Sequence, residues 1–216
     1  MEIVIATTNL HKIREFREML KRIAPVEVLT LLNFPDYSPP PEEGGTFKAN
    51  AQSKAQHAAT ALQKIVLADD SGLIVPALNG APGVHSRRYA GEDATDAENR
   101  HKLLAAMRSL EDMERTAYFE CSLVLSSPEK VIKAVTGTCE GRILTEERGR
   151  HGFGYDSLFV KSEYDKTFAE MDDTTKNRVS HRHKAFEKLI PALVHCQAQI
   201  DTLGLHESSR GSQVMT

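Results

Sequence analysis

The apolar positions of this chain change period as the sequence runs. Ile3-Val4-Ile5-Ala6 is an unbroken, mostly β-branched run, which predicts a buried strand. Thr7-Thr8-Asn9 follows, a polar turn whose side chains can cap a helix. From Lys12 to Arg22 the apolar residues Ile13, Phe16, Met19 and Leu20 recur at helical spacing, and Ile23 continues their face. Pro25 ends that helix and Val26 to Leu29 predicts a second strand. Asn33 to Gly45, rich in Pro and Gly, reads as a long irregular loop of the kind that usually carries function.

Thr46 to Leu62 is Ala-rich and free of Gly and Pro, hence helical. Ile65-Val66-Leu67-Ala68 predicts another buried strand that delivers Asp69-Asp70-Ser71-Gly72 at its end, with Leu73 to Val75 extended beyond it. Asn79 to Gly83 is a turn, and Thr95 or Asp96 caps a helix reaching about Met107. Ala117 to Leu125 and Val131 to Thr138 alternate in polarity around Ser126 to Lys130, the signature of a hairpin. Gly149 to Gly154 is a glycine-rich loop. Ser180 to about His195 predicts the last helix, with Pro191 kinking or shortening it, and Leu203 to Thr216 is polar and expected to fray. Strands and helices in mixed order place the chain in the α/β class, a mixed sheet flanked by helices.

Length and composition narrow the picture. At 216 residues the chain forms one domain, or one two-lobed domain, with a core large enough to need no staples. Lys+Arg 27 against Asp+Glu 30 leaves a charge of −3, so no global basic field invites nucleic acid, although a few local cations can still grip a small anion. Trp is absent, which removes the best base-stacking side chain. Three cysteines without a CxxC disfavour a zinc site or a disulfide framework and suit a cytoplasmic protein. No apolar run is long enough for a membrane span, and Met1 to Thr7 has no signal-peptide character.

Five segments carry possible chemistry. The turn before the first helix, with Lys12, offers backbone N–H groups and a cation to an anion, or is a simple helix cap. Asp69-Asp70 at a sheet edge suits Mg2+ binding or water activation, against the plainer reading of a turn. Glu42-Glu43 ahead of the helix from Thr46 either compensates the helix dipole or adds a third carboxylate to the same metal. His151 to Asp156 combines glycines with Phe153 and Tyr155, which can stack on a base, and Asp156, which can read a purine edge; alternatively it is a turn with core aromatics. Lys176 to Lys184 gathers cations where a helix begins, either for an anionic ligand or as a solvated charge run. The remaining histidines form no metal-spaced cluster.

Taken in order, these segments resemble the inosine triphosphate pyrophosphatase family. The shared residues are Ala6-Thr7-Thr8-Asn9 with Lys12, Glu42 with Gly44 and Thr46-Phe47, Ala68 to Leu73, Gly80-Ala81-Pro82-Gly83, Ser86, Arg88-Tyr89, Gly91, Phe153 to Asp156, and Ser180-His181-Arg182. The resemblance covers residues 2 to 195. It implies a long mixed β-sheet flanked by helices, with two lobes around a central cleft, residues 1–197 forming the domain and 198–216 a partly disordered tail. It implies a cytoplasmic homodimer that hydrolyses ITP, dITP or XTP to the monophosphate and pyrophosphate with Mg2+. Thr7, Thr8, Asn9, Leu10, His11 and Lys12 would bind the triphosphate, with Ser71 also on the substrate. Glu42, Asp69 and Asp70 would hold Mg2+, and Asp70 would be the catalytic base. Phe153, Gly154, Tyr155, Asp156, Lys176, His181 and Arg182 would line the nucleotide. Thr8 stands where that family commonly has Gly, Ser157 where Pro is usual and Ala49 where an acidic residue is common. Alternative readings are a pyrophosphatase for other modified or pyrimidine nucleoside triphosphates, or a regulator that binds a nucleotide without hydrolysis.

Overall fold

The computed structural model describes residues 1–23 and 26–211, with backbone alone for 200–201 and 203–211. Ala24 and Pro25, where the sequence ends the first helix, and 212–216 of the expected tail lie outside the described residues. Six strands, β1 (Glu2–Ile5), β2 (Glu27–Thr30), β3 (Val66–Ile74), β4 (Thr116–Ser126), β5 (Val131–Ile143) and β6 (Phe159–Lys161), form one sheet in the order β2-β1-β3-β4-β5-β6. The β2-β1-β3 part is parallel, and from β3 to β6 every pairing is antiparallel. The helices are α1 (Leu10–Leu20), α2 (Phe47–Leu62), α3 (Asp96–Ala106), α4 (Asp173–Val179) and α5 (His181–Gly211).

Side chains alternate across a strand, and this sheet uses both faces. Ile3, Ile5 and Leu67 pack with Phe16 of α1 and Phe186 and Leu189 of α5. Val4, Val66 and Ala68 turn the other way, onto the alanine face of α2, Ala51, Ala55 and Ala58. A third cluster, Leu73, Leu103, Met107, Phe119, Phe159 and Phe168, fills a second lobe beneath α3 and β6. The long strands β3, β4 and β5 run through both lobes, and a cleft opens between them. The mixed sheet expected from the sequence is present.

The caps explain the helix starts. The Asn9 side chain accepts from the N–H groups of His11, at 2.9 Å, and Lys12, at 3.3 Å, and so begins α1. Thr46 and Thr95 do the same for α2 and α3, and Ser180 accepts from His183 N in the first turn of α5.

Three expectations change. Asp69-Asp70 lies inside β3 rather than beyond its end, because β4 continues the ladder past the point where β1 stops, at Ile5↔Leu67. Part of the Lys176 to Lys184 charge run is α4, begun by Asp172, whose carboxylate accepts from Thr175 N. The last helix runs beyond His195 to Gly211, with Pro191 inside it, since Leu189, Leu193 and Cys196 keep it packed on the sheet on either side of the proline. Its start is held close to β5: a Cβ on Gly137 would come within 2.4 Å of Ala185 N and His181 O. Among the described residues no helix is long and apolar enough to cross a membrane.

Candidate active site

The cleft encloses a cavity of about 550 Å³ lined from both lobes. Because successive residues of β3 face opposite ways, the two aspartates at its centre enter different surroundings. Asp69 points toward α1 and α5. Its Oδ1 is paired with Lys12, and its Oδ2 accepts from Arg182 Nε at 3.1 Å and from the Cys121 thiol at 3.1 Å. Burial alone would raise the pKa of Asp69, but Arg182 and Lys12 outweigh it and hold the carboxyl far below the usual aspartate range. The same Arg182 donates to Ser71 Oγ at 2.9 Å and pairs with Glu15. Glu15 also holds Lys176 at 3.2 Å, and Lys176 donates to Asp156 at 2.7 Å. An alternating chain of charges, Lys12–Asp69–Arg182–Glu15–Lys176–Asp156, four of them buried, therefore links the two ends of the cleft.

Asp70 points toward α2. Asn50 Nδ2 donates to its Oδ2 at 3.0 Å and Lys54 to its Oδ1 at 3.1 Å, and a tenth of its side-chain surface stays exposed. Here burial prevails over the attraction of Lys54 and Lys12, and the pKa of Asp70 is raised. Lys54 also donates to Glu42 Oε1 at 2.9 Å, and Arg88 lies 3.5 Å from the other oxygen of Glu42. Burial opposes the charge on Glu42 too, but Lys54, Lys12 and Arg88 lower its pKa.

At the other end of the cleft, the loop 152–156 is folded around Asp156. Its Oδ2 accepts from Phe153 N at 2.9 Å, and a Cβ on Gly152 would fall 2.1 Å from that oxygen, so glycine is required for the loop to close. Gly154 N donates to Asp96 at 2.7 Å, and Arg100 donates to Gly154 O, which ties the loop to α3. Tyr155 is buried and donates to Ser86 O at 2.9 Å. His181 is buried and stacked on Phe119, with ring centroids 4.8 Å apart. Burial and the adjacent Arg182 hold its pKa well below the ordinary value, so the ring is neutral, and its Nδ1 has no hydrogen-bond partner among the described residues. Burial works against the charge of Lys176, but Asp156 and Glu15 outweigh it and raise its pKa.

Of the residues the sequence singled out, Thr7, Thr8, Asn9, His11, Lys12, Glu42, Asp69, Asp70, Ser71, Phe153, Gly154, Tyr155, Asp156, Lys176, His181 and Arg182 line this cavity. Leu10 does not; its side chain is exposed on the outer side of α1. Sequence reasoning missed Glu15, Asn50 and Lys54. Two signals were available: Glu15 lies three residues after Lys12, on the same helical face, and Asn50 and Lys54 interrupt the alanine face of α2 at i and i+4.

The expected trio of metal ligands does not converge. Among the described residues no three His, Cys, Asp or Glu side chains close on one point. Glu42 and Asp70 do fit a hard cation: oxygens from two separate elements already gather round one positive charge, the Lys54 ammonium. Asp69 fits poorly, since both its oxygens are already committed, to Lys12, Arg182 and Cys121.

Comparison with known proteins accords with this arrangement. The chain is 63% identical over 190 residues to a dITP/XTP pyrophosphatase of Protochlamydia amoebophila, an alignment covering 88% of this chain and 96% of that protein. It is 50% identical to a dITP/XTP pyrophosphatase of Chlamydia caviae, covering 89% and 94%. The solved structure of a HAM1 protein from Coxiella burnetii superposes with a TM-score of 0.82 at 40% identity, covering 90% of this chain and 99% of that one. The pattern of the Ham1 family matches residues 3–192, nearly the whole two-lobed body around the cleft, and the chain belongs to that family.

Proposed function

We propose that this protein is a nucleoside-triphosphate pyrophosphatase that converts dITP, XTP and ITP to the monophosphate and pyrophosphate. The observation that carries the reading is the pairing, on one strand, of an aspartate enclosed by Lys12, Arg182 and Cys121 with one that keeps a tenth of its side chain exposed to the cleft and whose pKa is raised, inside a cleft lined with Lys12, Lys54, Lys176 and Arg182. The names of the relatives support the same substrate class.

Glu42 and Asp70 would hold Mg2+, which when bound neutralises charge developing on the phosphate oxygens. Asp69 serves as the anchor that fixes Lys12 and Arg182, and these cations bind the triphosphate. Asp70, oriented by Asn50, accepts a proton from the water that attacks the α-phosphorus in line, and pyrophosphate leaves. At the base end the Lys176 ammonium is a fixed donor. A 6-oxo purine offers it an acceptor, whereas the 6-amino group of adenine would set donor against donor, and a buried polar mismatch discriminates strongly. The same reading makes residues 1–197 the catalytic unit and the enzyme a cytoplasmic homodimer, for which light scattering on the eluting peak is the check.

The deciding experiment is a pyrophosphate-release screen over ITP, dITP, XTP, GTP, ATP and dTTP, with and without Mg2+. Release from ITP, dITP and XTP well above the rest, and only with the metal, is the expected result. Equal turnover of ATP and ITP, or preference for dTTP, would remove the reading, as would binding of ITP without release.

A further inference from the structure

The imidazole of His11 lies stacked on the phenyl ring of Phe153, with centroids 5.0 Å apart and planes inclined by 19°. The rings reach each other across the cleft. His11 belongs to the first turn of α1, whose apolar face packs with Ile3 and Ile5, while Phe153 leads into Tyr155 and Phe159 of the second core. The two are unequally held. Phe153 is fixed through its N–H on Asp156, and the Lys176 ammonium lies 4.9 Å from its ring centroid. The His11 side chain is exposed, with no partner but Phe153 among the described residues, and exposed side chains change rotamer within nanoseconds.

The backbone of His11 has little to offer a phosphate. Its N–H and that of Lys12 are both taken by Asn9 Oδ1 in the helix cap. What remains is the ring, and the ring faces the base end of the cleft. We propose that His11 is the second plate of a clamp on the purine base, which enters between the imidazole and Phe153; this inference rests on the nucleotide reading above. Two ring contacts at about 3.5–4.0 Å need roughly 7–8 Å between the plates. Rotation of His11 therefore has to widen the present gap by about 2–3 Å, while Phe153 stays in place. Asp156 and Lys176 then lie at the edge of the inserted base. Stacking tolerates any base, so His11 adds affinity and leaves selection to those edge groups.

Three variants test the clamp: His11→Ala, His11→Phe and His11→Trp. With ITP, His11→Ala is expected to raise KM about 5- to 150-fold, the worth of one stacked ring, with kcat changed less than about threefold. The inhibition constant of inorganic tripolyphosphate, which has no base, stays at the wild-type value, and His11→Phe restores KM. The chain has no tryptophan, so His11→Trp carries the sole indole. Its fluorescence is expected to be quenched by ITP and left unchanged by tripolyphosphate. The clamp is overturned if tripolyphosphate inhibition weakens in parallel with ITP in His11→Ala, if KM for ITP stays within about twofold of wild type, or if ITP leaves the indole unquenched. Should the wild-type enzyme release no pyrophosphate from ITP, the proposed function falls, and the indole titration still decides the clamp.

Discussion

On the α1 and α5 side of β3, Asp69 is enclosed by Lys12, Arg182 and Cys121; one residue later, on the α2 side, Asp70 meets only Asn50 and Lys54 and keeps an edge in the cleft. The backbone gives the two carboxylates the same start. Their partners drive their pKa values apart, one far down and one up. A buried charge with both oxygens hydrogen-bonded is a fixed point for other charges to be set against. A partly open charge that its partners do not fully compensate can take up a proton, which is what a general base must do.

The comparison breaks most visibly at Asp70. Asp70→Asn keeps the bulk and loses the proposed base, so kcat is expected to fall about 10²–10⁴-fold while the melting temperature stays close to wild type. Near-normal turnover of the variant would erase the difference between the two faces. Asp69→Asn should do the reverse. It takes an anion from buried Arg182 and from Lys12 and is expected to cost about 3–5 kcal/mol in urea unfolding; a variant as stable as wild type would show that Asp69 anchors nothing. Glu15→Gln sharpens the point on the same closed face. Burial opposes the charge of Glu15, but Arg182 and Lys176 hold its pKa below the ordinary 4.5. Its contribution, about 1.5–3 kcal/mol for hydrogen bonds to charged groups, is therefore complete above that pH and lost as pH falls below it. The gap in melting temperature between wild type and Glu15→Gln should be open at pH 7 and close on acidification; a gap constant from pH 7 to 3 contradicts this. The smallest effect is expected at Cys121→Ala, which removes a weak donor to Asp69 and costs about 1 kcal/mol by chemical denaturation.

The sequence disclosed what is local. The β-branched run from Ile3, the Ala-rich helix α2 and the caps at Asn9 and Thr95 are decided by neighbours within a turn, and they appear where expected. Asp69 and Asp70 were recognisable as a pair, but not as a divided one, because their opposite environments come from a strand that β4 extends. Glu15 shares a helical face with Lys12, but its role was not legible for a similar reason: its partner Arg182 lies 167 residues away in the chain. For Lys176 the charge run alone left a ligand site and a solvated face both open; the side chain is buried, and Glu15 and Asp156 meet its charge only after folding.

Gly137 does not itself line the cleft, but α5 rests its first turn directly on that residue. Any side chain there would act as a wedge, lifting His181 and Ala185 and carrying Arg182 away from the sheet. The depth at which Arg182 sits in the cleft is thus gauged from behind, by the thickness of one absent methyl group. An alanine at 137 would retune the site from its blind side without altering a single residue that faces the nucleotide.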